Sequence, residues 1–309
     1  MNTIKLSICI PTYNRAKFLP ELLESIVKQS HGYDIEVVVS DNASTDNTQE
    51  VLKLYIENHN NIKLSVADSN VGPDRNYFRA VSMAKGEYCW LIGSDDVIDD
   101  GGLEFVMQSL TSNQDVYLQD RVECDIDMNV LQRRSWWCKQ AIMEWDFSKD
   151  EINHYFKQCN SLGGVFSFLS SIIVRKSKWD EYIPSEKYYE TAYSHVFTLL
   201  SILKNDGTLK LLSNSGVLSR GGNDHFLSNG VCKRRLIDFY GYVMLADDLD
   251  MDALKFLLQK EHNIKSLSAL FTGCVSFDVA VIYSRLAGFS HWKIYIAQAL
   301  GVIRSKVNK

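Results

Sequence analysis

The chain has 309 residues, 46% hydrophobic and 23% charged, a composition that excludes intrinsic disorder and supplies a sizeable core. A formal net charge of −5 argues against a nucleic-acid binder, which carries a basic footprint. The seven cysteines (Cys9, Cys89, Cys124, Cys138, Cys159, Cys232, Cys274) form no CxxC pair and read as reduced, mostly buried thiols of the cytosol.

The N-terminus runs straight into a strand pattern, so no signal peptide is expected. No apolar run reaches the length of a membrane span; the nearest, Ser268 to Tyr283, is interrupted by Asp278. Ile4 to Ile10 predicts a buried strand that feeds the polar loop Pro11-Thr12-Tyr13-Asn14-Arg15. Ala16 to Gln29 has helical periodicity, with Leu19, Leu22, Leu23, Ile26 and Val27 on one face. Ile35 to Ser40 predicts a second strand, ending at Asp41-Asn42-Ala43-Ser44-Thr45-Asp46. Asp46 or Thr45 is placed to cap the helix that follows. Ile62 to Val66 is a third strand, Asn70 to Pro73 a turn, and Arg75 to Ala84 a helix. Tyr88 to Ile92 is a fourth strand, which stops at Gly93-Ser94-Asp95-Asp96. Strand and helix thus alternate over the first part of the chain, which predicts an α/β protein with a mostly parallel sheet and helices on both faces.

Further on, Val116 to Leu118 predicts a strand and Arg121 to Met128 the start of a hairpin. Trp136 and Trp137 read as core or lid packing, or as a stacking surface for a sugar. Ser167 to Val174 predicts a buried strand, Lys176 to Tyr182 a short helix, and Tyr188 to Leu203 a helix with His195 near its start. Leu209 to Leu212 and Gly216 to Leu218 are short strands. Arg220 to His225 reads as a flexible polar loop, and the chain from Val231 onward as helical. From Arg285 to the end there are five basic residues and no acid, beside Trp292, Ile294, Tyr295, Ile296 and Leu300. This section is either a helical subdomain packed on the core or a helix lying on an anionic membrane surface. The domains expected are 1–225, with a donor half at 1–115 and an acceptor half at 116–225, and a helical C-terminal region at 226–309.

Paired carboxylates at the end of a buried strand lie where open α/β sheets bind ligands. Asp95, with Asp96 second, is the expected site of a divalent metal, Mn²⁺ or Mg²⁺, with His225 as a candidate third ligand. Both acids also fit as caps of the next helix.

The segments Ser7–Arg15, Val37–Asp46, Asn70-Val71-Gly72 with Arg75-Asn76, and Ala84–Tyr88 leading to Gly93–Asp96 together resemble the ordered motifs of family 2 glycosyltransferases. The resemblance implies a GT-A, Rossmann-like fold. Tyr193-Ser194-His195 and Arg220-Gly221-Gly222-Asn223 are most similar to the abequosyltransferase-like subgroup of O-antigen (lipopolysaccharide) biosynthesis. It implies an inverting, metal-dependent hexosyltransferase. Such an enzyme moves a sugar from a CDP-, UDP-, GDP- or dTDP-linked donor to a lipid-linked saccharide. The place implied is the inner face of a bacterial membrane, as a peripheral protein.

By the same resemblance Pro11, Thr12, Tyr13 and Arg15 line the nucleotide pocket, Asp41 meets the base edge, and Arg75 and Ser94 lie near the diphosphate. Arg220 is a candidate phosphate partner. Gly93 stands where members of the family usually carry a ribose-binding acid, and Ser194-His195 where they carry a Glu-Asp pair with the catalytic base. His195 or Glu190 is therefore the expected base. A non-catalytic nucleotide-sugar binder and a nucleotidyltransferase are the alternatives. A P-loop hydrolase is excluded by the absence of GxxxxGK.

Overall fold

A computed structural model describes residues 4–149, 151–189, 191–223, 231–261, 267–268, 270–271 and 276–307. Glu190 and His225 lie outside the described residues. The main sheet has eight strands in the order β3-β2-β1-β4-β10-β6-β11-β9. Its first half comprises β1 (Leu6–Thr12), β2 (Ile35–Asp41), β3 (Ile62–Val66) and β4 (Tyr88–Leu91), all parallel. Every residue of β1, β2 and β4 is buried, as expected where helices cover both faces of a parallel sheet.

A small sheet of order β5-β12-β7-β8 stands beside it. It pairs β5 (Val97–Ile98), β7 (Arg121–Cys124), β8 (Val130–Arg134) and β12 (Val217–Arg220). The expected hairpin is thus present as β7 and β8, which pair antiparallel. In the second half of the main sheet, β6 (Val116–Gln119) and β11 (Thr208–Leu212) are parallel. β9 (Glu144–Asp146) and β10 (Ile172–Arg175) are reversed relative to their neighbours.

The helices divide between two cores. On one face α1 (Leu19–Gln29), α2 (Thr48–Asn58) and α4 (Gly102–Ser109) bury Leu22, Leu52 and Val106 against Ile8, Val39, Trp90 and Ile173. The other face receives α3 (Pro73–Ser82), α5 (Ile152–Gln158) and α7 (Ser194–Lys204); α6 (Lys176–Glu181) follows β10 directly and adds Trp179 to the same core. The last helices are α8 (Val231–Asp248), α9 (Asp252–Glu261), α10 (Phe277–Leu286) and α11 (His291–Val307). Tyr242, Leu254, Leu258 and Ala297 from this region share one apolar cluster with Leu118, Trp145 and Leu199. No described helix is long and apolar enough to cross a membrane.

Local conformation explains where the elements depart from expectation. The helix expected from Tyr188 begins at Ser194, because Ala192 has φ 64°, which a right-handed helix cannot contain. The strand expected over Ser167 to Val174 shrinks to Ile172–Arg175, because a short 3₁₀ turn occupies Leu169–Ser171. Trp136 and Trp137 are 3% and 5% exposed, so both are core residues and neither is a stacking surface. Trp136 donates its indole N–H to Gln119 O at 2.9 Å, as a buried indole must.

Ile173 sits where β10 bridges the two halves of the sheet, opposite Trp90 on one side and Tyr117 on the other. Truncation leaves a cavity in a fully buried position, so Ile173→Ala should cost about 2–5 kcal/mol in chemical denaturation, with the fold retained.

Candidate functional site

Three loops meet at the carboxyl edge of β1, β2 and β3, and side-chain amides lace them together. Asn14 takes a left-handed conformation (φ 53°), which asparagine tolerates better than most residues. Its N–H donates to Ser44 Oγ at 2.8 Å, and its Oδ1 accepts from Thr45 N at 2.8 Å. Asn42 reaches the third loop: Nδ2 donates to Asn70 Oδ1 at 2.9 Å, and Oδ1 accepts from Val71 N at 2.9 Å. Asn76 of α3 donates to Ser40 O at 3.0 Å and Thr12 O at 3.3 Å, pinning the helix to the strand ends. Pro11, Thr12, Tyr13 and Arg15 therefore stand on a braced rim. Tyr13 is 39% exposed, whereas Thr12 is buried with no partner for its Oγ1.

Asp41 is fully buried. Its carboxylate accepts from Ser44 Oγ at 2.5 Å and Gln49 Nε2 at 3.0 Å, which fixes the second loop. A nucleobase meeting Asp41 shares its oxygens with those two donors.

The adjacent acids at the end of β4 have different surroundings. Asp96 is 4% exposed, and both oxygens are engaged. Oδ2 accepts from Ser170 Oγ at 2.5 Å and Oδ1 from Arg220 N at 3.0 Å. Burial first, and the Asp95 charge second, push its carboxyl up to about 7. Asp95 is the open member, with a side chain 23% exposed and Arg15 Nε 3.7 Å away. Asn223 Nδ2 donates to Asp95 Oδ2 at 2.6 Å. Ser94 is buried in the same turn. Among the described residues no group of three or more His, Cys, Asp or Glu side chains is placed to hold a metal. A single open carboxylate nevertheless suits Mg²⁺ or Mn²⁺, because substrate phosphates complete the shell of such an ion.

Arg220 was expected in a flexible polar loop, but it ends β12 with a side chain 4% exposed. Nε donates to Asp95 O at 2.8 Å and Nη1 to Ile126 O at 2.6 Å. Nη2 pairs with Glu21, and the guanidinium lies 5.0 Å from the centre of the Phe18 ring. It braces the acid turn, and a phosphate would compete with those partners. The next residue, Gly221, is required by close approach: a Cβ there would lie 2.7 Å from Cys124 O. Sequence reasoning missed Ser170, Glu21 and the bond from Asn223. The one signal for them in the sequence is the Arg-Gly-Gly-Asn pattern, whose glycines suggest mobility.

At the start of α7 His195 is 3% exposed and packs edge-on to Tyr77. Its Nε2 is 3.0 Å from Phe166 O. A carbonyl only accepts, so Nε2 carries the hydrogen and Nδ1 the lone pair; Nδ1 is buried with no partner. Burial lowers the imidazole pKa to about 4, so the ring is neutral. Asp74 fixes this helix end, accepting from Ala192 N at 2.9 Å and Ser194 Oγ at 2.6 Å. Beside it, a cleft of 720 Å³ is lined by Asp74, Arg75, Glu186, Lys187, Tyr189 and Tyr240, among others. Arg75 pairs there with Glu186 and lies 4.4 Å from the Tyr189 ring centre.

Residues 7–177 match the family model described as glycosyl transferase family 2. The chain is 41% identical over 248 residues to the abequosyltransferase RfbV of Salmonella typhimurium, covering 79% of this chain and 74% of that protein. Among solved structures, Staphylococcus aureus TarS (residues 1-349) in complex with UDP-GlcNAc superposes with a TM-score of 0.65 at 19% identity, over 98% of this chain and 89% of that one. The Pyrobaculum calidifontis mannosyltransferase PcManGT in complex with GDP-Man and Mn²⁺ gives a TM-score of 0.54 at 14% identity, over 99% and 88% of the two chains. These likenesses show the GT-A fold. The family match covers the rim, the acid turn and β10 together, and the chain belongs to glycosyl transferase family 2.

Proposed function

We propose that this glycosyltransferase moves a sugar, a dideoxyhexose such as abequose, from a nucleotide donor to a lipid-linked glycan during bacterial O-antigen synthesis. The observation that carries the reading is the division of labour in the acid pair. Asp96 is consumed by structure, while Asp95 keeps an accessible carboxylate between Arg15 and Asn223. Asp95 would hold Mn²⁺ or Mg²⁺, and the bound cation would offset charge on the departing diphosphate. Thr12, Tyr13 and Arg15 would bind the nucleotide from the braced rim. Its ordering before the donor arrives lowers the entropic cost of binding. Similarity to the abequosyltransferase RfbV over most of the chain supports the sugar.

The acceptor hydroxyl attacks the anomeric carbon and must lose its proton. His195 is the base in this reading, because its neutral ring presents the unpartnered Nδ1 lone pair. The acceptor reaches it only when the packing around Tyr77 opens, since Nδ1 is closed to water. Glu190 is the alternative base, and His225 the candidate third metal ligand.

Residues 1–225 would carry donor and catalytic chemistry, and 226–309 would meet an anionic membrane surface. Helix α11 is inverted for a soluble protein. It buries Ile294, Ala297 and Gly301 and exposes Trp292, Tyr295, Ile296, Ala299, Leu300 and Ile303, one stripe at helical spacing. Phe277 and Ile282 of α10 are also exposed. A soluble helix normally buries its large apolar side chains, whereas an interfacial helix presents them to lipid beside basic residues.

Three outcomes are expected. In thermal-shift assays with CDP-, UDP-, GDP- and dTDP-sugars, one donor should stabilise the protein in a Mn²⁺-dependent way. Asp95→Ala should lose that dependence and on the order of 10²-fold in transfer rate. Binding without transfer or release would favour a non-catalytic binder.

The pKa of His195, about 4, lies below the ordinary 6.5, so the unfolded chain takes up the proton first as pH falls. That contribution is complete above pH 6.5 and is lost toward pH 4. Asp96 and Asp120, whose carboxyls burial pushes up to about 7 and about 6, take up protons in the folded state over the same range and act in the opposite sense. The His195 share is therefore read as a difference: in urea denaturation the wild type should lose about 2 kcal/mol relative to His195→Gln between pH 7 and pH 5.

The wild type should co-sediment with anionic phosphatidylglycerol vesicles and not with phosphatidylcholine vesicles. Combined Trp292→Ser, Tyr295→Ser and Ile296→Ser should cut the bound fraction about tenfold or more, and undiminished binding would sink the membrane reading.

A further inference from the structure

Strand register places a third carboxylate on the same edge as the acid pair. Ile173 pairs with Trp90, and Ile172 with Leu118, so β10 links β4 to β6 in known register. Continuing each strand by two residues beyond the level of Leu91, Ile172 and Leu118 brings Gly93, Ser170 and Asp120 level with one another. The bond from Gly93 N to Ser170 Oγ at 2.8 Å verifies the first half of that alignment. Leu91 and Leu118 belong to one apolar cluster, so with a period of two Gly93 and Asp120 share that face, while Ser170, in the 3₁₀ turn, is placed by its bond to Gly93. Asp120 thus lies two strands from Gly93, roughly 10 Å by strand spacing.

The Asp120 carboxylate is half served by the protein. The Ser135 hydroxyl and the Trp136 backbone N–H are near enough to favour its charged form. Its Oδ1 is buried without a partner. Burial drives the carboxyl up to about 6, the mark of an acid short of donors. A native structure rarely leaves a buried acceptor unmet, and an ordered water or a ligand supplies the missing donor. The neighbouring Arg121 lies 4.8 Å from the Phe168 ring centre, and its charge is felt at Asp96. Asp120 and the acid pair therefore lie near the same edge of the sheet.

We propose that Asp120 is a sugar-recognition residue, whose Oδ1 accepts a hydrogen bond from a ring hydroxyl of the donor's sugar. A donor whose diphosphate sits at Asp95 extends its pyranose along this edge toward β6. The sugar hydroxyl supplies the donor that Oδ1 lacks, so the contact forms only with the glycosylated nucleotide and not with the bare diphosphate. The inference rests on the nucleotide-sugar reading above.

The test compares affinities by calorimetry, with Mn²⁺, for each of CDP, UDP, GDP and dTDP and the corresponding nucleotide-hexoses. Asp120→Asn retains an acceptor for Ser135 and Trp136 and replaces the other oxygen by an amide. It should weaken the preferred nucleotide-sugar about 10- to 100-fold and leave its nucleoside diphosphate within about twofold. Equal weakening of both ligands, or of neither, would overturn the assignment while leaving the glycosyltransferase reading intact. Failure of the wild type to bind any nucleotide-sugar would overturn both. If Asp120→Asn does not fold, a crystal structure of the wild type with the nucleotide-sugar decides. A sugar oxygen within hydrogen-bond reach of Asp120 Oδ1 supports the proposal, and a sugar bound elsewhere ends it.

Discussion

The carboxyl edge of this enzyme hangs on one buried carboxylate. Asp96 joins three parts of the chain that are far apart in sequence: the turn after β4, the entry to β10 through Ser170, and the end of β12 through the Arg220 N–H. The tie adds to the β5–β12 pairing and to the Arg220 and Asn223 bonds to Asp95 in holding β12 against the acid turn. Burying an acid is costly, and the elevated Asp96 pKa expresses that cost. In return, the neighbouring Asp95 is presented to the cleft from a backbone held on both sides, since Arg220 also donates to Asp95 O. Under the metal role proposed for Asp95, such preorganisation suits a site whose remaining ligands arrive with the substrate.

The same constraint accounts for Gly93. A Cβ at this position would lie 3.1 Å from Asp96 Oδ2, 3.2 Å from Asp95 Oδ1 and 3.3 Å from Ser170 Oγ. The space a larger residue would need is filled by the acid pair and its serine. A third carboxylate would add like charge beside an acid whose ionisation is already disfavoured by burial and by Asp95. Glycine relieves both problems, and any ribose contact must then come from another part of the rim.

Most of the sheet was legible in the sequence because its strands are continuous apolar runs that end at polar loops, as in Leu6–Thr12 and Ile35–Asp41. The placement of helices on both faces follows from the alternation of strand and helix along the chain. The contrast between Asp95 and Asp96 was not legible. Adjacent acids look alike in sequence, and what separates them is Ser170, 74 positions away, and Arg220, 124 positions away. Arg220 itself was misread for the same reason, since two glycines after an arginine suggest mobility, whereas here Gly221 permits a close approach to Cys124 O. The late start of α7 was hidden in one backbone angle, at Ala192, in a run whose composition is helical throughout.

The position of His195 follows from that late start. Because α7 begins at Ser194, Asp74 reaches from the first turn of α3 to the first backbone N–H groups of α7, and a buried carboxylate at a helix N-terminus is favoured by the helix dipole. Helix α3 thereby fixes the orientation of α7. Asn76, one turn on from Pro73, ties the same α3 to the ends of β1 and β2. A chain of hydrogen bonds therefore runs from the nucleotide rim through α3 to the residue next to His195. The same helix packs Tyr77 against the His195 ring, so α3 fixes both the start of α7 and the surroundings of the unpartnered Nδ1.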